Sequence, residues 1–373
     1  MKPATRLAQI GDGDDSAIVP PIYATTMFGA DSAAEFSELA TRARHERFYT
    51  RYGNPTLALC ERAIAELEGA ETALVFGSGM AAIATSLLAL LGRGDHVVAQ
   101  QSLYGGTSSL LLNELPRLGI ETTLVDQTDG DAFAAALRPE TKVIVLESPT
   151  NPLLRLTDIA GVARLASRHG VMTLVDNTIA TPLNQRPLEL GADLVVHSAT
   201  KSLGGHSDII AGAVAGRVEL VDRIWSLRIL LGTALSPFEA WLLLRGLRTL
   251  DLRVERQNRT AGALSRALAA DARVLRVHYP GFGGVLSFEV PGGLPAADAV
   301  IARLALAARA ASLGGFRTLV VHPAAMWAGF LSGAQLADAG IPDGLIRVAV
   351  GLEDEADLID DFGAALAAVT VAR

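Results

Sequence analysis

The stretch Thr72-Ala73-Leu74-Val75-Phe76-Gly77-Ser78-Gly79-Met80-Ala81-Ala82 decides the fold class. Residues 72–76 form a short apolar run of the kind a buried strand presents, and Gly77-Ser78-Gly79 interrupts it. The apolar texture then continues from Met80 to Leu91 at a length that suits a buried helix. No charge occurs between Thr72 and Gly92, a span long enough to cross a bilayer. The glycines would break a spanning helix in its first third, so the reading is strand, turn and helix of a water-soluble core.

Working outward, the same alternation recurs. Asn54-Pro55 supplies an N-cap and a first-turn proline, a helix is predicted over 56–67, and Gly69 ends it. Strands are predicted at 96–99, 122–125, 143–146, 172–175, 194–197 and 209–214, with helical spacing between several of them, as at 159–169. Such alternation signals crossover units around a mostly parallel sheet buried on both faces, an α/β large domain. Beyond Gly232 the pattern changes to a long helical stretch at 237–268, strands at 273–278 and 285–290, a helix at 296–311, a strand at 346–350 and a closing helix at 354–369. That tail reads as a smaller α+β domain. The first fifty residues, with Pro20-Pro21 and little periodicity, read as an irregular arm. The expected division is an arm over 1–52, a large domain over 53–235 and a small domain over 236–373.

The chain has 373 residues, 50% hydrophobic and 19% charged, which excludes a disordered chain. A net charge of -8 and only 5% aromatic residues argue against nucleic acid as a partner. One cysteine, Cys60, allows no internal disulfide, and residues 1–20 lack a basic-then-apolar leader pattern. A cytoplasmic protein is expected. The lysines are Lys2, Lys142 and Lys201 alone, so arginine supplies nearly all positive charge.

In a parallel sheet, ligands gather at the carboxyl ends of the strands. The loop at Gly77–Ala82 allows backbone amides to approach an anion at a helix N-terminus. It matches a dinucleotide pattern with alanine in the third place, yet the next strand ends in Gln100 and not in an acid for a ribose, and no lysine follows as in a Walker loop. Asp176 ends an apolar run, where an acid needs a cation or a hydrogen-bonding mouth. His197-Ser198-Ala199-Thr200-Lys201-Ser202-Leu203-Gly204-Gly205-His206 places a lysine among hydroxyls and glycines. A desolvated lysine loses its proton near neutral pH and forms Schiff bases. Lys142, before an apolar strand, is expected to be solvated. Anion loop, acid at a strand end and sheltered lysine are together the parts needed to hold pyridoxal phosphate, and no metal is called for.

The chain resembles the Cys/Met-metabolism family of pyridoxal-phosphate enzymes, the group holding cystathionine γ-synthase, cystathionine and methionine γ-lyases and the O-acylhomoserine sulfhydrylases. Matching segments run along nearly the whole chain: Val19–Tyr23, Tyr49–Thr56, the Gly77–Ala82 turn, Glu147–Pro152, Val175–Thr178, Ser198–Asp208, Leu235–Pro237 and Ile346–Asp354. The resemblance implies a fold-type I, aminotransferase-like architecture. It implies that Lys201 holds the cofactor and moves protons, and that Asp176 pairs with the ring nitrogen. The Gly79 and Met80 amides with the Ser198 and Thr200 hydroxyls would bind the phosphate, joined by Tyr49 and Arg51 from a neighbouring subunit of a dimer of dimers. Tyr104 would stack on the ring and act on protons, Asn151 would contact the ring oxygen, and Arg347 with Ser312 would grip the substrate carboxylate.

Departures from the family pattern gather in the distal substrate region. Ala311 stands where enzymes acting on cystathionine by γ-chemistry carry glutamate, and methionine γ-lyases have an apolar residue there. Gly106 replaces the reactive cysteine of methionine γ-lyases, Arg317 reverses a usual acid, and Trp327 replaces a small hydroxyl residue. The activity implied is a lyase performing α,γ-elimination, with α,β-elimination, on a sulfur amino acid or substituted homoserine. The alternatives are γ-replacement, as in cystathionine γ-synthase or a sulfhydrylase, and a non-catalytic regulatory descendant of the fold.

Overall fold

The computed structural model describes residues 3–10, 17–327 and 340–369; Lys2 lies outside them. The chain forms two compact units, one comprising Met1–Glu147, Asp158–Thr178 and Gln185–Asp251, the other Ser148–Thr157, Ile179–Asn184 and Leu252–Arg373.

In the first unit, seven strands form one sheet among the described residues: β1 (Thr72–Phe76), β2 (His96–Gln100), β3 (Glu121–Val125), β4 (Thr141–Glu147), β5 (Met172–Asp176), β6 (Leu194–His197) and β7 (Gly212–Gly216). Their order is β1-β7-β6-β5-β4-β2-β3. Strands β3, β2, β4, β5 and β6 are parallel neighbours, and β7 runs antiparallel to both β6 and β1. Side-chain alternation divides each central strand between two hydrophobic layers. Val97, Ala99, Val143, Val145 and Leu174 join one cluster, whereas Val98, Ile144, Leu146 and Val175 join the other. Both faces are covered, as the uninterrupted apolar runs require.

The stretch at Thr72–Gly92 is a strand, a turn and the helix Gly79–Leu90, and no described helix is long and apolar enough to cross a membrane. Two expectations for this unit need correction. The first fifty residues are not wholly irregular, because helices form at Pro3–Gln9 and Ala33–Thr41. Ser32 caps the second by accepting from the Glu35 amide. The strand expected at 209–214 begins only at Gly212, because the amide of Ala211 is drawn to the Thr200 hydroxyl.

The long helical stretch at 237–268 is two helices, Pro237–Leu247 and Leu250–Ala269, and the former packs on the helix Pro55–Glu68.

The second unit is built on β8 (Arg276–His278), β9 (Val285–Glu289), β10 (Ala308–Arg309), β11 (Leu319–Val321) and β12 (Leu345–Ala349), in the order β10-β11-β12-β9-β8. Among the described residues of this sheet, only β10 and β11 pair in parallel. One helix covering this sheet is Glu355–Ala367, whose Phe362 meets Phe288 of β9 edge-on at 6.0 Å between ring centroids. The helix expected at 296–311 spans only Gly293–Ile301. The alanine-rich run has helical propensity throughout, but Ala308–Arg309 gains a ladder with Leu319–Val320 instead.

Candidate cofactor and substrate sites

All strands of the large sheet except β7 end at one edge, and β7 begins there, since Phe76 pairs with Gly212 and His197 with Ala213. The predicted anion loop, acid and lysine all leave from this edge. Ser78 caps the helix Gly79–Leu90, its hydroxyl accepting from the Ala81 amide at 3.0 Å. That leaves the Gly79 and Met80 amides at the open first turn, where the helix dipole favours an anion. A Cβ at position 79 would lie 2.8 Å from the Ser198 Cβ, and one at Gly212 would lie 2.0 Å from the Ser78 carbonyl oxygen. Glycine at both positions lets the ends of β1, β6 and β7 close into a cradle no side chain could enter. No described residue takes the Ser198 hydroxyl, whereas Thr200 donates its own to the Ala211 carbonyl at 3.1 Å. Lys201 sits in the turn that follows, its amide donating to the Ser198 carbonyl at 3.0 Å.

Asp176 closes β5, buried, and takes two donors on one oxygen. The Thr178 hydroxyl donates to Oδ1 at 2.5 Å and the Thr178 amide donates to it at 3.0 Å. That hydroxyl also accepts from the Ser198 amide at 2.8 Å, so one threonine ties the acid to the turn from Ser198 to Lys201. Oδ2 has no partner among the described residues. Across the ladder from Asp176 stands Glu147, itself held by the Tyr104 amide at 2.6 Å. Burial and then Asp176 push the Glu147 carboxyl well above the usual range. Burial also raises Asp176, against its two Thr178 hydrogen bonds and the pull of His197. A cation placed at Oδ2 relieves this pair, which is what a protonated ring nitrogen offers.

Tyr104 is 52% exposed at the same edge. A Cβ at Gly106 would meet the Tyr104 ring at 2.7 Å and the Met80 sulfur at 2.8 Å, so glycine leaves these two side chains room to converge. Tyr49 and Arg51 lie in the arm and are exposed; the Arg51 guanidinium stands 5.1 Å from the Tyr52 ring centroid and donates to the Ile229 carbonyl. Cys60 is fully buried and its thiol is pushed up by burial, which removes it as a nucleophile.

Asn151, Ser312 and Arg347 come together in the second unit. Arg347, on β12, is 4% exposed. Its Nη1 donates to the Asn151 side-chain oxygen at 3.1 Å, and its Nη2 donates to the Ser312 carbonyl at 2.9 Å. Ser312 therefore contributes its backbone and not its hydroxyl to this contact. The Arg347 Nε is buried without a partner, and no carboxylate among the described residues pairs with the guanidinium. Burial pushes its pKa down to about 10. A buried cation with only neutral partners is costly unless an anion arrives, and its planar fork suits a carboxylate. Of the four departures, Ala311, Gly106, Arg317 and Trp327, the first and third are exposed. Trp327 instead packs against Leu153, Ala324, Ile341 and Leu345, which gives it a place in this unit's core.

The glycine cradle with two open amides and a spare hydroxyl, together with the half-satisfied acid, fits a phosphorylated pyridine. The profile described as Cys/Met metabolism PLP-dependent enzyme matches residues 4–367. The chain belongs to that family. It is a pyridoxal-phosphate-dependent enzyme of the Cys/Met-metabolism type, as the sequence motifs imply. It is 43% identical over 370 residues to an L-methionine γ-lyase of Pseudomonas putida, covering 94% of this chain and 93% of that protein. It is 39% identical over 373 residues to a cystathionine γ-lyase of Bacillus subtilis, covering 95% and 96%. A crystal structure of cystathionine γ-synthase from Xanthomonas oryzae pv. oryzae, in complex with aminoacrylate and cysteine, superposes with a TM-score of 0.92 at 37% identity, covering 98% of each chain. Three buried groups of this Cys/Met-family chain escaped assignment from sequence. Glu147 stood inside a recognised segment and His197 beside one, while Glu68 had only the helix end and Gly69 to mark it.

Proposed function

We propose that the chain is a lyase that performs α,γ-elimination on a sulfur amino acid or a γ-substituted homoserine, and α,β-elimination when the leaving group sits one carbon closer. The carrying observation is the near full-length likeness to proteins named methionine γ-lyase and cystathionine γ-lyase. Ala311, exposed and uncharged, supports an apolar distal group on the substrate. With methionine, one water enters and 2-oxobutyrate, ammonia and methanethiol leave.

Pyridoxal phosphate, when bound, supplies an aldehyde that takes up the amine and a ring that accepts the electron pair left by a departing proton. Lys201 is the residue proposed to hold that aldehyde. The Lys201 Nζ, when free of that aldehyde, would take the proton from the substrate Cα and then work at Cβ. Asp176 Oδ2 would accept from the ring nitrogen and keep it protonated. The Gly79 and Met80 amides and the Ser198 hydroxyl would hold the phosphate, and Thr200 would join them by turning its hydroxyl hydrogen from the Ala211 carbonyl. Tyr104 would cover the ring and protonate the leaving group. Asn151 would donate to the ring oxygen, and Arg347 would grip the carboxylate beside Ser312. Tyr49 and Arg51 would serve the phosphate of a neighbouring subunit in a dimer of dimers. One thiol and no disulfide suit a reducing, cytoplasmic setting.

The second reading, γ-replacement, is favoured by the likeness to the Xanthomonas synthase structure. Incubation with methionine, cystathionine and O-acetylhomoserine, with and without a thiol, separates the two. Release of 2-oxobutyrate and ammonia without thiol is expected; product formed only with thiol would overturn elimination as the main activity.

A further inference from the structure

Glu68 is the last residue of the helix Pro55–Glu68, which Gly69 terminates at φ 68°. Its side chain is fully buried. Oε1 accepts from the Asn177 side-chain amide at 3.1 Å and meets His197 Nε2 at 2.5 Å, while Oε2 has no partner among the described residues. A buried pair of this kind adds little to stability over an apolar replacement, so the fold alone does not account for it.

The two partners explain its place. Asn177 directly follows Asp176, and His197 directly precedes Ser198 and the turn to Lys201. Asn177 is locked further by exchanging two hydrogen bonds with Gln185, each 2.9 Å. One carboxylate therefore joins the ends of β5 and β6 at the points where both halves of the cofactor machinery leave the sheet. Among the titratable groups around Asp176 are Glu147 on β4, whose ionisation Asp176 opposes, and His197 on β6, which favours the ionisation of Asp176.

We propose that Glu68 is a positioning residue: through its hydrogen bonds to His197 and Asn177 it ties the ends of β5 and β6 together, and so fixes both the setting of Asp176 and the course of the Ser198–Lys201 turn. The proposal rests on the family's cofactor and is independent of which substrate is processed.

Glu68→Gln separates charge from shape, because its amide oxygen still accepts from His197 and Asn177. The apoprotein of this variant is expected to stay folded, because both hydrogen bonds keep an acceptor. Titration of pyridoxal phosphate into the apoprotein is expected to give a Kd about tenfold weaker. In the loaded protein, the pH midpoint of the visible band should shift. A neutral amide oxygen holds His197 and Asn177 less firmly than a carboxylate does, so Asp176 and the turn to Lys201 are less firmly set. Parental Kd and parental midpoint together would overturn the proposal. If Glu68→Gln does not fold, His197→Gln is put through the same titrations, with the same expected weakening. Failure of both to fold would assign the pair to the core alone and sink the positioning role.

Discussion

Two regions of this molecule bury charge, and they do so in opposite ways. At the edge of the large sheet, charges come in company: Glu147 faces Asp176, and His197 faces Glu68. On β12 of the second unit, Arg347 has only an amide oxygen and a carbonyl for partners among the described residues. The first arrangement adjusts groups the protein keeps, because Asp176 opposes the ionisation of Glu147 and His197 favours that of Asp176. The second keeps a cation short of an anion, so that much of its electrostatic stabilisation is left for whatever binds. One region is tuned from inside and the other is completed from outside.

The strongest test of the internally arranged region is Lys201→Ala. It should abolish the visible band of the lysine-bound cofactor and lower turnover by at least about 10³-fold; a band that persists unchanged would reassign the linkage. At the other region, Arg347→Lys should lower kcat/KM by about 10²-fold, since a point charge replaces a fork whose charged hydrogen bonds contribute about 1.5–3 kcal/mol each. The contrast sharpens with Arg347→Met, which should lose as much activity yet melt no lower than the parent, because it removes a buried charge lacking a counter-ion. Steady-state kinetics and a thermal melt decide both.

Gly79→Ala should weaken pyridoxal phosphate binding about tenfold, since the new Cβ would stand 2.9 Å from the Ser198 Cα and the cradle must open. Fluorescence titration of the apoprotein reads this directly. The smallest effect is expected from Glu147→Gln. The raised carboxyls of Glu147 and Asp176 favour the folded apoprotein below the ordinary carboxylate range, and that contribution is lost as pH rises through their folded values. The variant should lose part of this fall, with a melting temperature about 2 °C above the parent at neutral pH. A parent whose melting temperature does not fall over that range would remove the basis for the comparison.

Legibility in the sequence followed the same contrast. Asp176, Ser198, Lys201 and the Gly77–Ala82 turn were readable because strand, turn and functional group are contiguous in the chain. Apolar runs ending in glycine, acid or hydroxyl residues also placed most of the strands of the large sheet correctly. Glu68 and Glu147 were not assigned, since what makes each important is a partner from a distant strand, and no local spacing encodes that. The helix Ala33–Thr41 did have a signal, Ser32 followed three residues later by Glu35, which the prolines upstream obscured. The overlong helix at 296–311 shows the reverse error: alanine propensity carried the pattern past Ile301, and the ladder to β11 overrode it. Trp327, a departure from the family pattern, packs on Leu153, Ile341 and Leu345, partners that no local spacing foretells.

The bond between Arg347 and Asn151 spans 196 residues of chain. Contacts of such sequence separation form only after long loops have closed, so they belong to the slow end of folding. During synthesis, the sheet that carries Lys201 has every strand available well before β12 leaves the ribosome. The order of emergence thus lets the lysine's surroundings form before the proposed carboxylate grip exists, so the group proposed to select amino acids is a late acquisition of the growing chain.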